Sequence, residues 1–97
     1  MYKIVFTKQS LKDLDRLKEA NISAKAKALV DVIRENPYQN PPRYEKLVGK
    51  MDGIMSRRIN IQHRMIYQVY EEPFAENDIK YQGIVKIIRM WTHYEHV

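Results

Sequence analysis

Residues 53–70 read GIMSRRINIQHRMIYQVY, and this stretch decides the fold. Two runs within it, residues 54–61 and 65–70, are rich in β-branched, aromatic and other apolar side chains. A short polar segment from Asn60 to His63 interrupts them. Strand-forming residues at a period of two, with a polar interruption of this kind, predict an antiparallel hairpin.

Cationic and titratable side chains are concentrated on this hairpin, at Arg57, Arg58, His63 and Arg64. Like charges directly opposite each other on paired strands are destabilising. If the connecting loop has an odd number of residues, Arg58 and Arg64 become cross-strand neighbours, and we expect them to need an anion. The alternative is a solvated outer face on an edge hairpin, and the stretch by itself leaves both interpretations open.

Length and composition indicate a single globular domain spanning residues 1–97. A chain of 97 residues buries roughly 60–65% of its unfolded surface, which is enough for one core. The sequence has neither the ~20 consecutive apolar residues of a membrane helix nor a signal peptide at its start. It has no cysteine, which excludes disulfides and thiolate metal sites. We therefore expect a cytoplasmic protein.

The charge balance favours a polyanionic partner. Seventeen Lys and Arg residues against twelve Asp and Glu residues give a net charge of +5. An excess of this sign suits a nucleic acid or a strongly acidic protein. Solubility alone is the alternative explanation for the excess.

The first part of the chain predicts a strand over residues 2–6 and then two helices, the second ending at Asn36 because Pro37 follows it. Candidate caps are Thr7 or Ser10 for the first helix and Asn21 or Ser23 for the second. Apolar side chains at helical spacing are expected to be buried, with Asp13 on the polar side of the first helix. The expected buried residues are Leu11, Leu14, Leu17 and Ala20 in the first helix and Ala28, Leu29, Val32 and Ile33 in the second.

The rest of the chain predicts mainly strands. A proline-rich loop over residues 37–44 leads to a short edge strand over 45–48 and then to the hairpin. An acidic loop over 71–78 precedes a last strand over 79–94, whose apolar residues suggest cover on both faces. This order predicts an α+β fold, with two N-terminal helices packed on a mainly antiparallel sheet of four or five strands.

Motif spacing excludes several kinds of reactive site. The three histidines form no helical pair for a metal, and no carboxylate is spaced to complete such a site. There is no G-x-S-x-G elbow for a nucleophilic serine. The three glycines form no phosphate-binding loop. We therefore expect neither a metal nor another cofactor.

The side chains left for chemistry are Glu45, Arg58, Arg64 and His93. When RNA is cleaved by its own 2′-hydroxyl, one group takes the hydroxyl proton and another protonates the departing 5′ oxygen. Glu and His, with ordinary pKa values of about 4.3 and 6.5, suit these two tasks near neutral pH. Arginine suits the phosphate, because its planar fork binds two oxygens at once. Composition alone does not select this chemistry, since any chain of this length contains such residues.

Two motifs add a resemblance. Residues 56–59 read SRRI and are followed by His63-Arg64, an aliphatic strand and a terminal His93-Tyr94. Residues 44–47 read YEKL, which is similar to a Pro-Glu-Pro-Leu-Lys region. Together these motifs resemble the YoeB/Txe branch of the RelE/ParE superfamily of toxins. The resemblance implies a RelE-like fold, similar to that of small microbial ribonucleases.

The resemblance also implies an activity and partners. Members of this branch are ribosome-dependent, metal-independent endoribonucleases that cut mRNA in the A site of the small (30S) subunit. An antitoxin encoded beside the toxin holds it inactive, so the expected assemblies are a toxin–antitoxin hetero-oligomer or a homodimer. We expect the antitoxin to be acidic and to dock on the basic face, neutralising part of the +5 charge.

Site residues follow from the resemblance position by position. Glu45 matches the general base and His93 the general acid, while Arg58 and Arg64 match the residues that stabilise charge on the phosphate. Tyr94 matches an aromatic residue that holds the substrate. Weaker contacts with the RNA backbone are expected from Arg57, His63, Lys46 and Lys50. The sequence departs from the family in two places: three residues follow Tyr94, and the acidic loop is longer than usual.

Two other functions fit the same scaffold. One is a non-catalytic toxin such as a ParE-like inhibitor of DNA gyrase, and the other is a basic RNA-binding module without chemistry. The joint presence of Glu45, Arg58, Arg64 and His93 separates the nuclease from both, because ParE-like chains generally lack that set.

Overall fold

The computed structural model describes residues 1–47 and 53–91. Its elements are β1 (Tyr2–Phe6), α1 (Lys8–Glu19), α2 (Ser23–Glu35), β2 (Tyr44–Lys46), β3 (Ile54–Arg58), β4 (Arg64–Tyr70), β5 (Phe74–Glu76), β6 (Ile79–Tyr81) and β7 (Gly83–Arg89). One sheet has the strand order β1-β7-β4-β3-β2, in which β1 and β7 are parallel and the other neighbours antiparallel. The two helices pack against this sheet around a common core. The predicted α+β fold is therefore confirmed.

Helix α1 begins where Thr7 caps it. Thr7 has an extended backbone, and its Oγ1 accepts a hydrogen bond from the Ser10 backbone N–H at 3.0 Å. This bond satisfies one of the donors that a helix leaves unpaired at its start. Of the two predicted caps, Thr7 is confirmed, and Ser10 is wrong because it already lies within the helix.

The buried side of α1 differs from the predicted stripe. Leu17 is buried as expected, but Leu11 is 48% exposed and Ala20 is also exposed. The helix instead turns Ser10 and Asp13 into the interior, where both are fully buried. Asp13 was expected on the polar side, and its burial is possible because hydrogen bonds from the end of β7 satisfy its carboxylate.

Helix α2 has no side-chain cap, and its first flanking residue is Ile22. The predicted caps are wrong, because Asn21 adopts a left-handed backbone with φ of 60° and Ser23 is already helical. The buried residues of α2 are Ala26, Leu29, Val30 and Ile33. Ala28 is exposed and Val32 only half-buried, because the stripe at positions 26, 29, 30 and 33 faces the sheet. Neither helix in the described part of the chain is long and apolar enough to cross a membrane.

One face of the sheet forms the core. Its buried residues include Met55, Met65, Tyr67, Val69, Val85 and Ile87, which alternate along β3, β4 and β7. The intervening residues of β4 and β7 are mostly half-buried. The strand β7 lies inside the sheet, between β1 and β4. Because its intervening residues are only half-buried, the prediction that both of its faces are covered is wrong. The edge strand predicted over residues 45–48 is β2, and residue 48 lies outside the described residues.

The region after β4 is more structured than predicted. Within the expected acidic loop and the start of the expected last strand, β5 and β6 form a separate two-stranded sheet. Asn77 and Asp78 connect them with φ of 52° and 64°, the two positive angles of a type I′ hairpin turn. The main strand begins only at Gly83, where a Cβ atom would lie 2.0 Å from the Tyr70 carbonyl oxygen.

Candidate active site

Strand pairing brings three of the predicted site residues to one face of the sheet. Arg58 pairs with Arg64, because five residues, an odd number, connect β3 and β4. Glu45 on β2 pairs with Ser56, two residues before Arg58. Residues directly opposite each other share a face, and so do residues two apart on one strand. The hairpin and its Arg58–Arg64 pair are confirmed, and Glu45 joins them on the face away from the core.

These three side chains line a cavity of about 260 Å³ together with Pro42 and Arg43. Three guanidiniums and one carboxylate surround it, so the cavity is suited to an anion with several oxygens, such as a phosphodiester. Arg43 was absent from the predicted set. The signal that could have found it is its position two residues before Glu45, which places both on one side of an extended segment.

The guanidinium of Arg64 is held from two strands. Its Nε donates a hydrogen bond to Ser56 Oγ at 2.7 Å, and one terminal nitrogen lies 3.3 Å from Glu45 Oε1. The Arg64 side chain is only 16% exposed, whereas the Glu45 side chain is 53% exposed. The carboxylate is therefore open to a ligand, while the guanidinium beside it has a defined position.

The structure contradicts the predicted RNA contact of Arg57. This residue precedes Arg58, so its side chain points to the opposite face, and it is fully buried. Its Nε donates to Tyr67 Oη at 3.0 Å. The terminal nitrogens donate to three backbone carbonyl oxygens, those of Pro37 at 3.0 Å, Gln39 at 2.8 Å and Pro42. These acceptors occupy the guanidinium and leave it no surface for RNA.

The weaker contacts predicted for the histidine and lysines of this region have different outcomes. His63 is 2% exposed and stacks on Trp91 with ring centroids 4.0 Å apart, which contradicts the predicted contact with RNA. Lys46 is exposed, but it pairs with Met55, whose side chain lies in the core. Lys46 therefore lies on the other face from the cavity, and its contact with RNA stays a prediction.

Three predicted site residues, Lys50, His93 and Tyr94, lie outside the described residues. Their assigned contacts and roles stay predictions. The cavity described above is formed by residues on β2, β3 and β4 and on the loop before β2.

The loop over residues 37–43, which supplies the rim of the cavity, is held from two sides. Arg57 binds its carbonyl oxygens from within. On the outside, Tyr38 Oη donates to Glu71 Oε1 at 3.1 Å, and Tyr2 Oη donates to the same oxygen at 2.6 Å. Burial, together with the charge of Glu71 and the hydrogen bond to it, raises the pKa of Tyr38 to about 12. The same causes raise the pKa of Tyr2 well above its ordinary value.

A buried carboxylate fixes the chain at the end of β7. Asp13 accepts hydrogen bonds from Arg89 Nε at 2.8 Å, the Met90 backbone N–H at 3.0 Å and Gln9 Nε2 at 3.0 Å. Burial by itself raises the pKa of Asp13, but these hydrogen bonds outweigh it and hold the pKa below its ordinary value. The chain is thereby fixed up to Trp91, the last residue described at this end.

The chemistry available at the cavity is proton transfer and anion stabilisation. Within residues 1–47 and 53–91, no three His, Cys, Asp or Glu side chains are grouped so as to hold a metal ion. Glu45 offers an accessible carboxylate, and the guanidiniums of Arg43, Arg58 and Arg64 offer planar donors around the same space. Donors fixed in advance around a developing charge are the arrangement that contributes most to catalysis in enzymes.

Similar solved structures share this fold over nearly the whole chain. A YoeB/ParE toxin from Agrobacterium tumefaciens is 26% identical with a TM-score of 0.76, covering 95% of this chain and 99% of that one. A YoeB dimer from Staphylococcus aureus is 26% identical with a TM-score of 0.72, covering 96% and 98%. A YoeB–YefM complex from Staphylococcus aureus is 27% identical with a TM-score of 0.70, covering 97% and 99%. A search among curated proteins finds no significant match.

The sequence also matches a protein family directly. The family is described as the YoeB-like toxin of bacterial type II toxin-antitoxin systems, and its sequence model matches residues 6–94. This range includes every element of the fold from the end of β1 onward. The chain therefore belongs to the family of YoeB-like toxins of bacterial type II toxin-antitoxin systems.

Proposed function

We propose that this toxin is an endoribonuclease that cuts mRNA in the A site of the translating ribosome, without a metal ion. One observation carries the proposal: Glu45, Arg58 and Arg64, which lie on three different strands, surround a single cavity with one open carboxylate. A phosphodiester needs a proton acceptor on one side and fixed positive charge around its oxygens, and this cavity offers both.

The proposed reaction is attack by the 2′-hydroxyl on the adjacent phosphorus. Glu45 takes the hydroxyl proton, because its carboxylate is exposed and lines the cavity that would hold the substrate. Arg58 and Arg64 bind the non-bridging oxygens and stabilise the charge that grows on them. By the family resemblance, His93 then protonates the departing 5′ oxygen, and Tyr94 helps to hold the substrate.

The proposed partners are the ribosome with its mRNA and an acidic antitoxin. Because the proposed substrate is mRNA on translating ribosomes, the proposed location of the toxin is the cytoplasm. One related structure is a complex of YoeB with YefM and another is a YoeB dimer, so both an antitoxin complex and a homodimer are reasonable assemblies for this chain. The net charge of +5 gives an acidic antitoxin an electrostatic attraction that weakens as salt rises.

Expression in cells followed by mapping of mRNA ends tests the proposal. The wild type is expected to generate new mRNA ends within codons and to arrest growth. Glu45→Gln is expected to reduce cleavage by roughly 10²- to 10⁴-fold, the usual contribution of a general base. His93→Gln tests the proposed acid in the same assay.

The matched control is Glu19→Gln, which makes the same change at an exposed residue at the end of α1. It is expected to cleave like the wild type. Growth arrest without new mRNA ends, accompanied by damage to DNA, would favour gyrase inhibition instead. Binding of RNA without either effect would favour a binding module.

A further inference from the structure

We propose that Ser56 is a positioning residue of the active site, which holds the Arg64 guanidinium in place while the proposed base changes its charge. The inference rests on the proposed nuclease function. Ser56 stands in the SRRI motif, but the sequence assigns it no role. In the fold it occupies the middle of β3, directly opposite Glu45 on one side and Ile66 on the other.

Ser56 is a buried polar residue. Its side chain belongs to the face of the sheet that carries the cavity, yet the residue is fully buried. Buried hydroxyls need hydrogen-bond partners. Ser56 Oγ accepts from Arg64 Nε at 2.7 Å, a short bond of the charge-assisted kind. The hydroxyl is thus committed to the guanidinium that lines the cavity.

The contacts of Arg64 with Ser56 and with Glu45 differ in how they respond to the reaction. The contact with Glu45 depends on the carboxylate charge, and the terminal nitrogen lies 3.3 Å from Oε1. When Glu45 accepts the 2′-hydroxyl proton it becomes neutral, and its attraction for Arg64 falls. The Ser56 hydroxyl does not titrate in this range, so its bond to Nε persists at that moment.

The bond with Ser56 restrains Arg64 at Nε and not at its terminal nitrogens. Ser56 engages Nε, one terminal nitrogen lies 3.3 Å from Glu45 Oε1, and the residue lines the cavity. A long arginine side chain loses much rotamer freedom when it is fixed, and a bond at Nε restricts it without using the outer fork. Ser56 therefore helps to preorganise the fork toward the phosphate oxygens.

Single-turnover cleavage on purified ribosomes carrying a defined mRNA tests this role. Ser56→Ala is expected to slow cleavage at saturating ribosome concentration by roughly 10- to 100-fold, as loss of one charge-assisted hydrogen bond implies. The ribosome concentration for half-maximal rate should change less than about threefold, since Ser56 does not reach the substrate. Ser56→Cys, which keeps the volume but accepts poorly, should behave like Ser56→Ala and serves if the alanine variant folds badly.

The matched control is Ser10→Ala. Ser10 is equally buried, and its hydroxyl donates to the Thr7 carbonyl oxygen in α1. Thermal melting should show a similar small destabilisation for both alanine variants, whereas only Ser56→Ala should slow cleavage. In an Arg64→Ala background, adding Ser56→Ala should change the rate less than about twofold, because the hydroxyl acts through that arginine.

The outcomes distinguish the positioning role of Ser56 from the nuclease function. Cleavage by Ser56→Ala and Ser56→Cys within twofold of an active wild type overturns the positioning role and leaves the nuclease proposal intact. An equal slowing in the Arg64→Ala background also overturns it, because the effect would then not pass through Arg64. Absence of cleavage by the wild type refutes the nuclease function, and the role of Ser56 falls with it.

Discussion

The buried Arg57 allows a sharp test of how this fold supports its cavity, through the substitution Arg57→Lys. The arginine donates four hydrogen bonds, to Tyr67 Oη and to the carbonyl oxygens of Pro37, Gln39 and Pro42. A lysine keeps the charge but replaces the planar fork by a single ammonium on a different stem. A single ammonium nitrogen cannot reach four acceptors that are placed around a planar guanidinium.

The expected cost is roughly 2–4 kcal/mol in the free energy of unfolding. We expect lysine to lose at least two of the four bonds, and each hydrogen bond to a charged group contributes about 1.5–3 kcal/mol, part of which relaxation recovers. A small domain is stable by only about 5–15 kcal/mol in total. A loss of this size corresponds to a drop in Tm of roughly 10–25 °C.

Urea denaturation followed by tryptophan fluorescence measures this cost, because Trp91 is the single tryptophan of the chain. The matched control is Arg58→Lys, the same change at the next residue, which is exposed on the other face. It should alter the stability by less than about 0.5 kcal/mol while reducing cleavage. The reasoning is refuted if Arg57→Lys is as stable as the wild type, or if it loses RNA affinity with its stability intact.

Two further predictions concern titratable groups whose pKa the fold shifts. Asp13→Asn should destabilise the fold by about 1–3 kcal/mol at neutral pH, whereas Asp15→Asn, whose side chain is 75% exposed, should have almost no effect. Because the pKa of Asp13 is depressed in the fold, its contribution to stability is present above pH ~4 and is lost as the pH falls through the lowered value. Urea titrations in acid should therefore show a smaller pH dependence of stability in Asp13→Asn than in the wild type, and equal slopes would contradict this expectation. Glu71→Gln should lower the pKa of Tyr38 from about 12. It should also weaken the loss of stability that accompanies a rise in pH from ~10 toward 12. If the absorbance titration of tyrosinate is unchanged in this variant, relative to a Tyr38→Phe reference, Glu71 does not set the pKa of Tyr38.

The hairpin shows what the sequence could predict. A period of two is a local property, and it predicted the hairpin without fixing its register. The odd loop of five residues that pairs Arg58 with Arg64 is seen only in the structure. The same period separates Arg57 from Arg58, so their opposite faces were also within reach. What could not be predicted was that Arg57 faces the interior with acceptors to satisfy it. Those acceptors lie 15–20 residues away on a loop, and a local pattern carries no information about such contacts.

The prediction that Asp13 lies on the polar side of α1 was wrong for the same reason, because its partners are distant in the sequence. Aspartate between leucines on a helix is ordinarily solvated, and its partners Arg89 and Met90 are 76 and 77 residues away. By contrast, the hairpin of β5 and β6 had a local signal. Asn77 and Asp78 tolerate left-handed backbone, and turn chemistry at that pair would have predicted a hairpin between the expected acidic loop and the start of the expected last strand. Ser56 lay in a recognised motif, and only the strand register shows what its hydroxyl binds.

The reaction proposed for the cavity between β2, β3 and β4 is cleavage of a phosphodiester by internal attack. The most direct measurement is single-turnover cleavage of mRNA on purified ribosomes, with the ends of the products identified by mass spectrometry. Internal attack leaves a 5′-hydroxyl on one product and a 2′,3′-cyclic or 3′-phosphate on the other. Arg64→Met is expected to slow cleavage by roughly 10²- to 10³-fold while still binding the ribosome. Products with a 5′-phosphate, or full activity in both Arg64→Met and Glu45→Gln, would contradict it.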